Sequence, residues 1–480
     1  MNQNFIKIKE NDNVAVAIRK TETIPIGHKM ALKDINKGEN IIKYGFPIGH
    51  ATEDIKKGQW VHVHNIKTNL SDIEEYSYQP MHYIMPKDKM GEIKFSAFHR
   101  PDGNIGIRNE IWIIPTVGCV NDVAKKLAEG CQDLVEGSLD GIYSFSHPWG
   151  CSQMGDDHQQ TRKILCGLAK HPNAAAVLII GLGCENLTHD QILEELGDFS
   201  EERIKFLVCQ EVEDELKEGR RLLEECACYA KTFERMKTSI DQLVVGMKCG
   251  GSDGLSGITA NPAVGQCSDL LVSAGASTLL TEVPEMFGAE KMLFCRCINK
   301  EVFIKAESML NEFKNYYLSH GEVIYENPSP GNKEGGISTL EDKSCGCVQK
   351  GGSAPISDVI DYGGQIKSKG LNLLCGPGND LVSSTALTAA GAHLILFTTG
   401  RGTPFGSPIP TIKIATNTKL YEKKSNWIDF NAGLVAEDEV LEETASRLFD
   451  YLVRVANGME TKNEKNGFRD ISIWKKGVVL

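Results

Sequence analysis

Long apolar runs are missing from this 480-residue chain. No stretch approaches the ~18 apolar residues that a membrane span needs. The opening segment, Met1 to Glu10, lacks the apolar core of a secretion signal. Positive charge is also in short supply: 52 Lys and Arg stand against 64 Asp and Glu, a formal net charge of −12. That balance excludes binding to nucleic acid or an anionic membrane by bulk charge. An anionic substrate must then be held by local Arg or Lys, or by a metal. Nucleotide signatures are lacking too, because the glycine-rich loop starting at Cys249 is neither a Walker loop nor a Gly-x-Gly-x-x-Gly turn. Cys345-Gly-Cys347 is too short for a Cys-x-x-Cys knuckle and has no second pair at the matching distance, which removes a structural zinc ribbon. Short internal repeats are absent.

Cysteine, in contrast, is plentiful: there are 15, an odd number. Without a secretion signal this points to the reducing cytoplasm, with mostly free thiols, some of them available as ligands. A small-molecule partner is expected, with neither nucleic acid nor membrane; a homo-oligomer is left open.

The length predicts two to four domains. Residues 1–72 alternate short apolar runs with Gly, Pro and Asn/Lys turns and predict a small all-β domain. Residues 73–95 are polar and aperiodic, as in a linker. Residues 96–238 alternate strand and helix patterns, with strands expected at 111–117, 141–146, 175–181 and 204–209 and helices at 121–129, 157–171 and 211–237. Residues 239–480 repeat that style, with strands at 243–248, 277–282, 370–375, 393–398 and 411–415. The fold class is thus α/β, with a small N-terminal all-β domain followed by two parallel-sheet units. Residues 325–353, dense in Gly, Pro, Ser and Lys, predict a long functional loop.

Four apolar runs end in a cysteine beside glycine: Ile111 to Cys119, Gly141 to Cys151, Ala175 to Cys184 and Leu243 to Cys249. Ligands of open α/β sheets bind outside the carboxyl ends of the strands. The pattern therefore predicts a thiol-lined, metal-bearing site. His147, Cys151, Asp157 and His158 fall within one strand–turn–helix, and mixed Cys, His and carboxylate donors suit iron or zinc better than magnesium. A cysteine in such a turn is equally a small packing residue. In the β domain, period two along Trp60-Val-His-Val-His64 puts His62 and His64 on one face. His28 and His50 each follow a Pro-x-Gly turn. The loop from Cys249 to Gly257, with Ser252 and Asp253, can aim N–H groups at an anion. Arg401, between two glycines, suits a carboxylate. Lys333 and Lys343 are anion contacts or solvated lysines.

Taken together, Val61-His-Val-His-Asn65, Pro115-Thr-Val-Gly-Cys-Val-Asn121, Gly150-Cys-Ser-Gln153, Gly181-Leu-Gly-Cys-Glu-Asn186, the run from Cys249 to Pro262, Glu282-Val-Pro-Glu285, Thr339-Leu-Glu-Asp-Lys-Ser344 and Thr399-Gly-Arg-Gly-Thr-Pro404 resemble the altronate dehydratase family. The wider family includes galactarate dehydratase and sulfolactate sulfo-lyase. The resemblance runs in order through almost the whole chain. It implies an N-terminal SAF-like (β-clip) domain. It also implies loss of water from D-altronate to give 2-dehydro-3-deoxy-D-gluconate in hexuronate breakdown, with a divalent metal, Fe²⁺ or Mn²⁺. Where the family carries Ser-Leu-Gly-Cys, this chain has Ser344-Cys-Gly-Cys347, which favours Cys347 over Cys345.

On that chemistry, Cys151 and Cys184 with His147 or His158 are the expected metal ligands, and Cys119, Cys249 and Cys347 are further candidates. Arg401, Ser252, Asp253 and Lys333 are expected to hold the substrate. His28, His62, His64 and His158 are the expected acids and bases. The alternatives are a related substrate such as galactarate and an iron–sulfur form of the same chemistry. A non-catalytic sugar-acid sensor finds no DNA-binding module to support it.

Overall fold

The computed structural model describes residues 4–71, 75–81, 93–325 and 327–479. The linker expected over 73–95 lies largely outside them. Of its described parts, 75–81 is fastened to the large unit, where Tyr78 Oη donates to the Cys297 carbonyl at 3.0 Å and Met81 N to the Cys295 carbonyl at 2.8 Å, and residues 94–95 are not linker but open the strand Lys94–His99.

The N-terminal region is all-β, as expected. Phe5–Ile6, Val14–Ala17, Lys29–Ala31 and Trp60–Val61 form one antiparallel sheet, and Asn40–Lys43, Phe46–Ala51 and Ile66–Lys67 form a second. Alternate apolar residues such as Val14, Ile41, Ile48, Ile55 and Val61 fill a small core of their own. The expected alternation beyond Trp60 does not hold. The strand stops at Val61 because Asn65 curls the chain: its Oδ1 accepts from His62 N and its Nδ2 donates to the Trp60 carbonyl. His62 is consequently buried, while Val63 and His64 are exposed. His50 is likewise not on a turn like that of His28 but within the strand Phe46–Ala51.

The expected fold class holds for the rest of the chain. Gly141–Ser144, Glu110–Pro115, Ala174–Gly181 and Ile204–Val208 form a parallel sheet in that spatial order. The helix expected over 211–237 runs only from Glu215 to Ala230, opened by Asp214, whose carboxylate accepts from Leu216 N and Lys217 N. Arg235–Ser239 turns back instead as an antiparallel strand beside Lys94–His99.

The C-terminal unit is a seven-stranded parallel sheet ordered Ile356–Ile360, Gly370–Leu374, Ser277–Leu280, Val244–Cys249, Leu394–Thr399, Thr411–Ala415 and Phe430–Asn431. Its central strands are buried on both faces, which explains their unbroken apolar sequence. From Val244–Cys249 the chain proceeds one way through Ser277–Leu280 and later returns to the other side at Leu394–Thr399. A topological switch point therefore lies between those two strands, and their following loops flank a crevice.

The long loop expected over 325–353 is folded. It contains the helices Pro330–Glu334 and Leu340–Cys347. Leu340–Cys347 is buried on every side, so its sequence carries no amphipathic stripe. Thr339 caps it by accepting from Asp342 N.

That helix receives the β domain. Lys29 Nζ lies 2.7 Å and Lys43 Nζ 2.9 Å from the two carboxylate oxygens of Asp342, and all three side chains are at most 1% exposed. Burial works against the Asp342 charge, but the two ammonium groups outweigh it and hold the carboxyl well below its ordinary range. Removing one partner of a buried ion pair costs about 3–5 kcal/mol. Asp342→Ala is therefore expected to lower the unfolding free energy by about that amount, read by urea denaturation. A loss under about 1 kcal/mol would show that the contact does not hold the domain.

Candidate active site

The β domain meets the C-terminal unit through main chain. Gly27 (φ +85°) sits so close to the Gly254 loop that a Cβ on Gly254 would lie 2.0 Å from the Gly27 carbonyl oxygen. Only glycine permits this approach. It lays the turn bearing His28 on the loop that follows Cys249. His28 Nε2 donates to the Glu334 carbonyl at 3.2 Å, and its Nδ1 accepts from the Trp60 indole at 3.2 Å. His62 stacks on Trp60, and its ring centroid lies 4.6 Å from that of His28. His62 Nδ1 is buried and has no hydrogen-bond partner. Burial, then the Lys29 charge, lowers the His62 pKa to about 4, and burial also lowers that of His28. Both imidazoles are neutral at neutral pH. His64 stays exposed, tilted against Trp60.

Around the switch point, Gly400 N and Arg401 N both donate to the Gly251 carbonyl, which ties the two loops together. Asp253 is a partly buried brace: its Oδ1 accepts from Leu255 N and Ser256 Oγ, and its Oδ2 from Thr416 Oγ1 and Asn417 Nδ2. Ser252 lines a small cavity with Lys43, Tyr44, Lys343 and Cys347. Arg401 is half exposed at the rim. Its guanidinium donates to the Gly331 carbonyl at 3.1 Å and pairs with Glu334 at 3.3 Å, across the short helix that carries Lys333.

Beneath the cavity lies a buried charge cluster. Cys249 Sγ is 3.5 Å from Cys347 Sγ, 2.8 Å from Glu285 Oε2 and 2.9 Å from Lys350 Nζ. Lys343 Nζ pairs with Glu285 Oε1 at 2.9 Å. Burial would raise the Glu285 pKa, but Lys343 and Lys350 prevail and hold it low. The hydrogen bond with Cys249, then burial, pushes the Cys347 thiol well up. Burial raises Glu282 to about 7 against the pull of Lys248. Glu282 holds a left-handed φ of +74°, with its carboxylate accepting from Cys249 N at 2.9 Å and paired to Lys248 at 3.0 Å. Strain of this kind in a non-glycine residue is typical of functional sites.

Cys249, Glu285 and Cys347 are, among the described residues, the one group of three metal-competent side chains whose donor atoms all fall within 4.8 Å. Glu285, Glu282, Lys248 and Lys350 escaped the sequence reading. Their signal was a charged residue inside an apolar strand or beside its end, as at Lys248.

The other expected ligands lie on the second unit. Cys119, Cys151 and Cys184 are exposed at the carboxyl ends of its strands. His147 is buried with both ring nitrogens used, Nε2 donating to the Pro115 carbonyl at 2.7 Å and Nδ1 accepting from Trp149 N at 3.2 Å. It positions the turn and has no nitrogen free for a metal. His158 Nε2 meets the Asn186 carbonyl at 3.2 Å. The expected single thiol set is therefore two sets, one buried under the β domain and one exposed.

A cationic, thiol-bearing crevice at the switch point of a parallel sheet, covered by an all-β cap, defines an α/β enzyme suited to a small anionic molecule. Family profiles match in order along the chain: an altronate/galactarate dehydratase SAF domain over residues 18–69, the second domain of D-galactarate dehydratase/altronate hydrolase over 97–231, and the D-galactarate/altronate dehydratase C-terminal domain over 240–479. Altronate dehydratase of Bacillus subtilis (strain 168) is 50% identical over 100% of both chains. Altronate dehydratase of Escherichia coli (strain K12) is 48% identical over 99% of this chain and 100% of its own. Galactarate dehydratase (L-threo-forming) of Escherichia coli (strain K12) is 33% identical over 95% of this chain and 93% of its own. The chain belongs to the D-galactarate/altronate dehydratase family.

The two thiol sets differ in reach. In metal-free, reduced protein a short iodoacetamide pulse is expected to label Cys119, Cys151, Cys184 and Cys228, while Cys249 and Cys347 stay protected until the protein is denatured. Peptide mass spectrometry reads the outcome. Labelling of Cys249 at the rate of Cys151 would contradict the buried placement.

Proposed function

We propose that the protein is a hydro-lyase that removes water from D-altronate to give 2-dehydro-3-deoxy-D-gluconate, in cytoplasmic hexuronate and galacturonate breakdown. One observation carries the reading: full-length identity is far higher to the two altronate dehydratases than to the galactarate dehydratase. Under this proposal residues 1–72, 96–238 and 239–480 act as cap, second domain and catalytic domain.

The C2 proton of an aldonate is poorly acidic beside a carboxylate. The reaction needs a base for that proton, an acid for the departing 3-hydroxyl, and positive charge for the enediolate-like intermediate. The site has positive charge to offer. Two ammonium groups face one carboxylate at Asp342, and two more face one at Glu285. A bound carboxylate would complete the balance. Arg401 and Lys333 at the rim and Ser252 in the cavity would hold its oxygens, with Asp253 keeping the loops in place. His62 supplies the base, since it is neutral and its Nδ1 is free. His28 orients it, and His64 at the rim donates to the leaving hydroxyl. His158, on the second unit, takes no part in this scheme.

The divalent metal implied by the family would be held by Cys249, Cys347 and Glu285. Two sulfurs and one oxygen suit Fe²⁺ better than Mn²⁺. Holding it requires loss of thiol protons and displacement of Lys350 from Cys249. When bound, the metal supplies Lewis-acid charge to substrate oxygens. An iron–sulfur form of the chemistry is a second reading, favoured by the separate exposed trio Cys119, Cys151 and Cys184.

An anaerobic screen of hexonates and hexarates with Fe²⁺, Mn²⁺, Mg²⁺ or no metal is expected to yield a 2-keto-3-deoxy acid from altronate first. Strong preference for galactarate would overturn the substrate. His62→Asn is expected to lower kcat by about 10²–10⁴-fold with little change in KM. Because burial lowers the folded imidazole pKa, the neutral base persists as pH falls and is lost only below the usual histidine range. The acid limb of kcat/KM should therefore lie below about pH 6. An acid limb at or above the ordinary histidine value would remove His62 from the role.

A further inference from the structure

The second unit has its own switch point. Its chain starts at Glu110–Pro115, moves to one side at Gly141–Ser144, and then to the other at Ala174–Gly181. Each of these three adjacent parallel strands is followed by a cysteine: Cys119, Cys151 and Cys184 in turn. The three loops interlock through their main chains. Gly118 N donates to the Trp149 carbonyl at 2.9 Å, Leu187 N to the Gly150 carbonyl at 3.0 Å, and Ser152 N to Asn186 Oδ1 at 2.7 Å. Gly150 (φ +99°) lies so close to the first loop that a Cβ would sit 1.9 Å from the Thr116 carbonyl oxygen. Each thiol is thus one to three residues from a contact with a neighbouring thiol's loop.

Their chemical setting is the opposite of the buried pair. Cys249 Sγ is buried with the Lys350 ammonium 2.9 Å away. The rim thiols are exposed, and the donors found on their sulfurs are neutral: Gln210 Nε2 at 3.7 Å from Cys184 Sγ and Ser152 Oγ at 3.9 Å from Cys151 Sγ. They are not drawn together as ligands of one ion would be, since their sulfurs do not form a group within 4.8 Å among the described residues. Three exposed thiols on adjacent, interlocked strand-end loops can each bond a different iron of a cubane cluster, and hydrogen bonds to sulfur tune such clusters.

We propose that Cys119, Cys151 and Cys184 ligate a [4Fe–4S] cluster with one iron left without a protein thiolate. Assembly takes ferrous and ferric iron in equal number together with sulfide, so no oxidant is needed, and each cysteine gives up its thiol proton on binding. The cluster site stands apart from the Cys249–Glu285–Cys347 group. Its ligand assignment goes beyond the dehydratase reading and holds without it.

The test is anaerobic reconstitution of the full chain with ferrous and ferric iron in equal number and sulfide. Wild type is expected to hold about four labile sulfide and about five iron, four in the cluster and one at the buried Cys249–Glu285–Cys347 group, with broad visible absorbance. Cys119→Ser, Cys151→Ser and Cys184→Ser are each expected to lose the cluster, while Cys228→Ser and Cys347→Ser keep it. A readout free of mutation is protection: loading should shield the three rim thiols from iodoacetamide in wild type. Rim thiols that label at the unloaded rate, a cluster lost from Cys347→Ser, or one bound ion without sulfide would each overturn the assignment. Wild type that holds the cluster yet leaves altronate unchanged would defeat the altronate reading alone and uphold the cluster.

Discussion

One buried carboxylate determines where the cap domain sits. Asp342 is shared by Lys29 and Lys43, which reach it from different sheets of the β domain. A single carboxylate cannot satisfy two desolvated ammonium groups equally. Burial lowers the Lys29 pKa to about 8, with Lys43 adding to the shift, whereas Lys43 is raised by Asp342 despite its own burial. This arrangement is costly in isolation, because buried charges lose their hydration. Its return is register: the turn bearing His28 and the helix bearing Lys343 and Cys347 can meet in one way only. The close glycine contacts at Gly27 and Gly254 add a steric condition to the electrostatic one.

The same logic extends inward. Glu282 and Glu285 stand on either side of Cys249, one holding its main-chain N–H and the other its thiol. Their environments push them apart, with Glu282 raised and Glu285 lowered. Neighbouring carboxyls are thus held toward opposite states of charge by their surroundings, a perturbation that clusters at functional sites. The left-handed backbone at Glu282 is the local cost of aiming its side chain at the strand end.

Much of this was legible in the sequence where periodicity carries the signal. The buried strands of both parallel sheets follow from apolar pattern alone. The helix Leu340–Cys347 was hidden because full burial erases the polar face that pattern reading relies on. Period two misplaces His62 because one Asn side chain ends the strand at Val61, three residues before His64. The cysteines were found but pooled, since sequence shows that each ends a strand without showing which sheet it joins. The charged partners of Cys249 come from segments 36 to 101 residues away, and no local spacing announces them.

Trp60 lies among three imidazoles, stacked on His62, bonded through its indole N–H to His28, and tilted against His64. Protonated imidazole withdraws electron density from an excited indole far more strongly than the neutral ring does. The emission of this one tryptophan, among five in the chain, therefore depends on the protonation of the cap histidines. The packing that shields His28 and His62 from water also makes the cap an optical indicator of their charge.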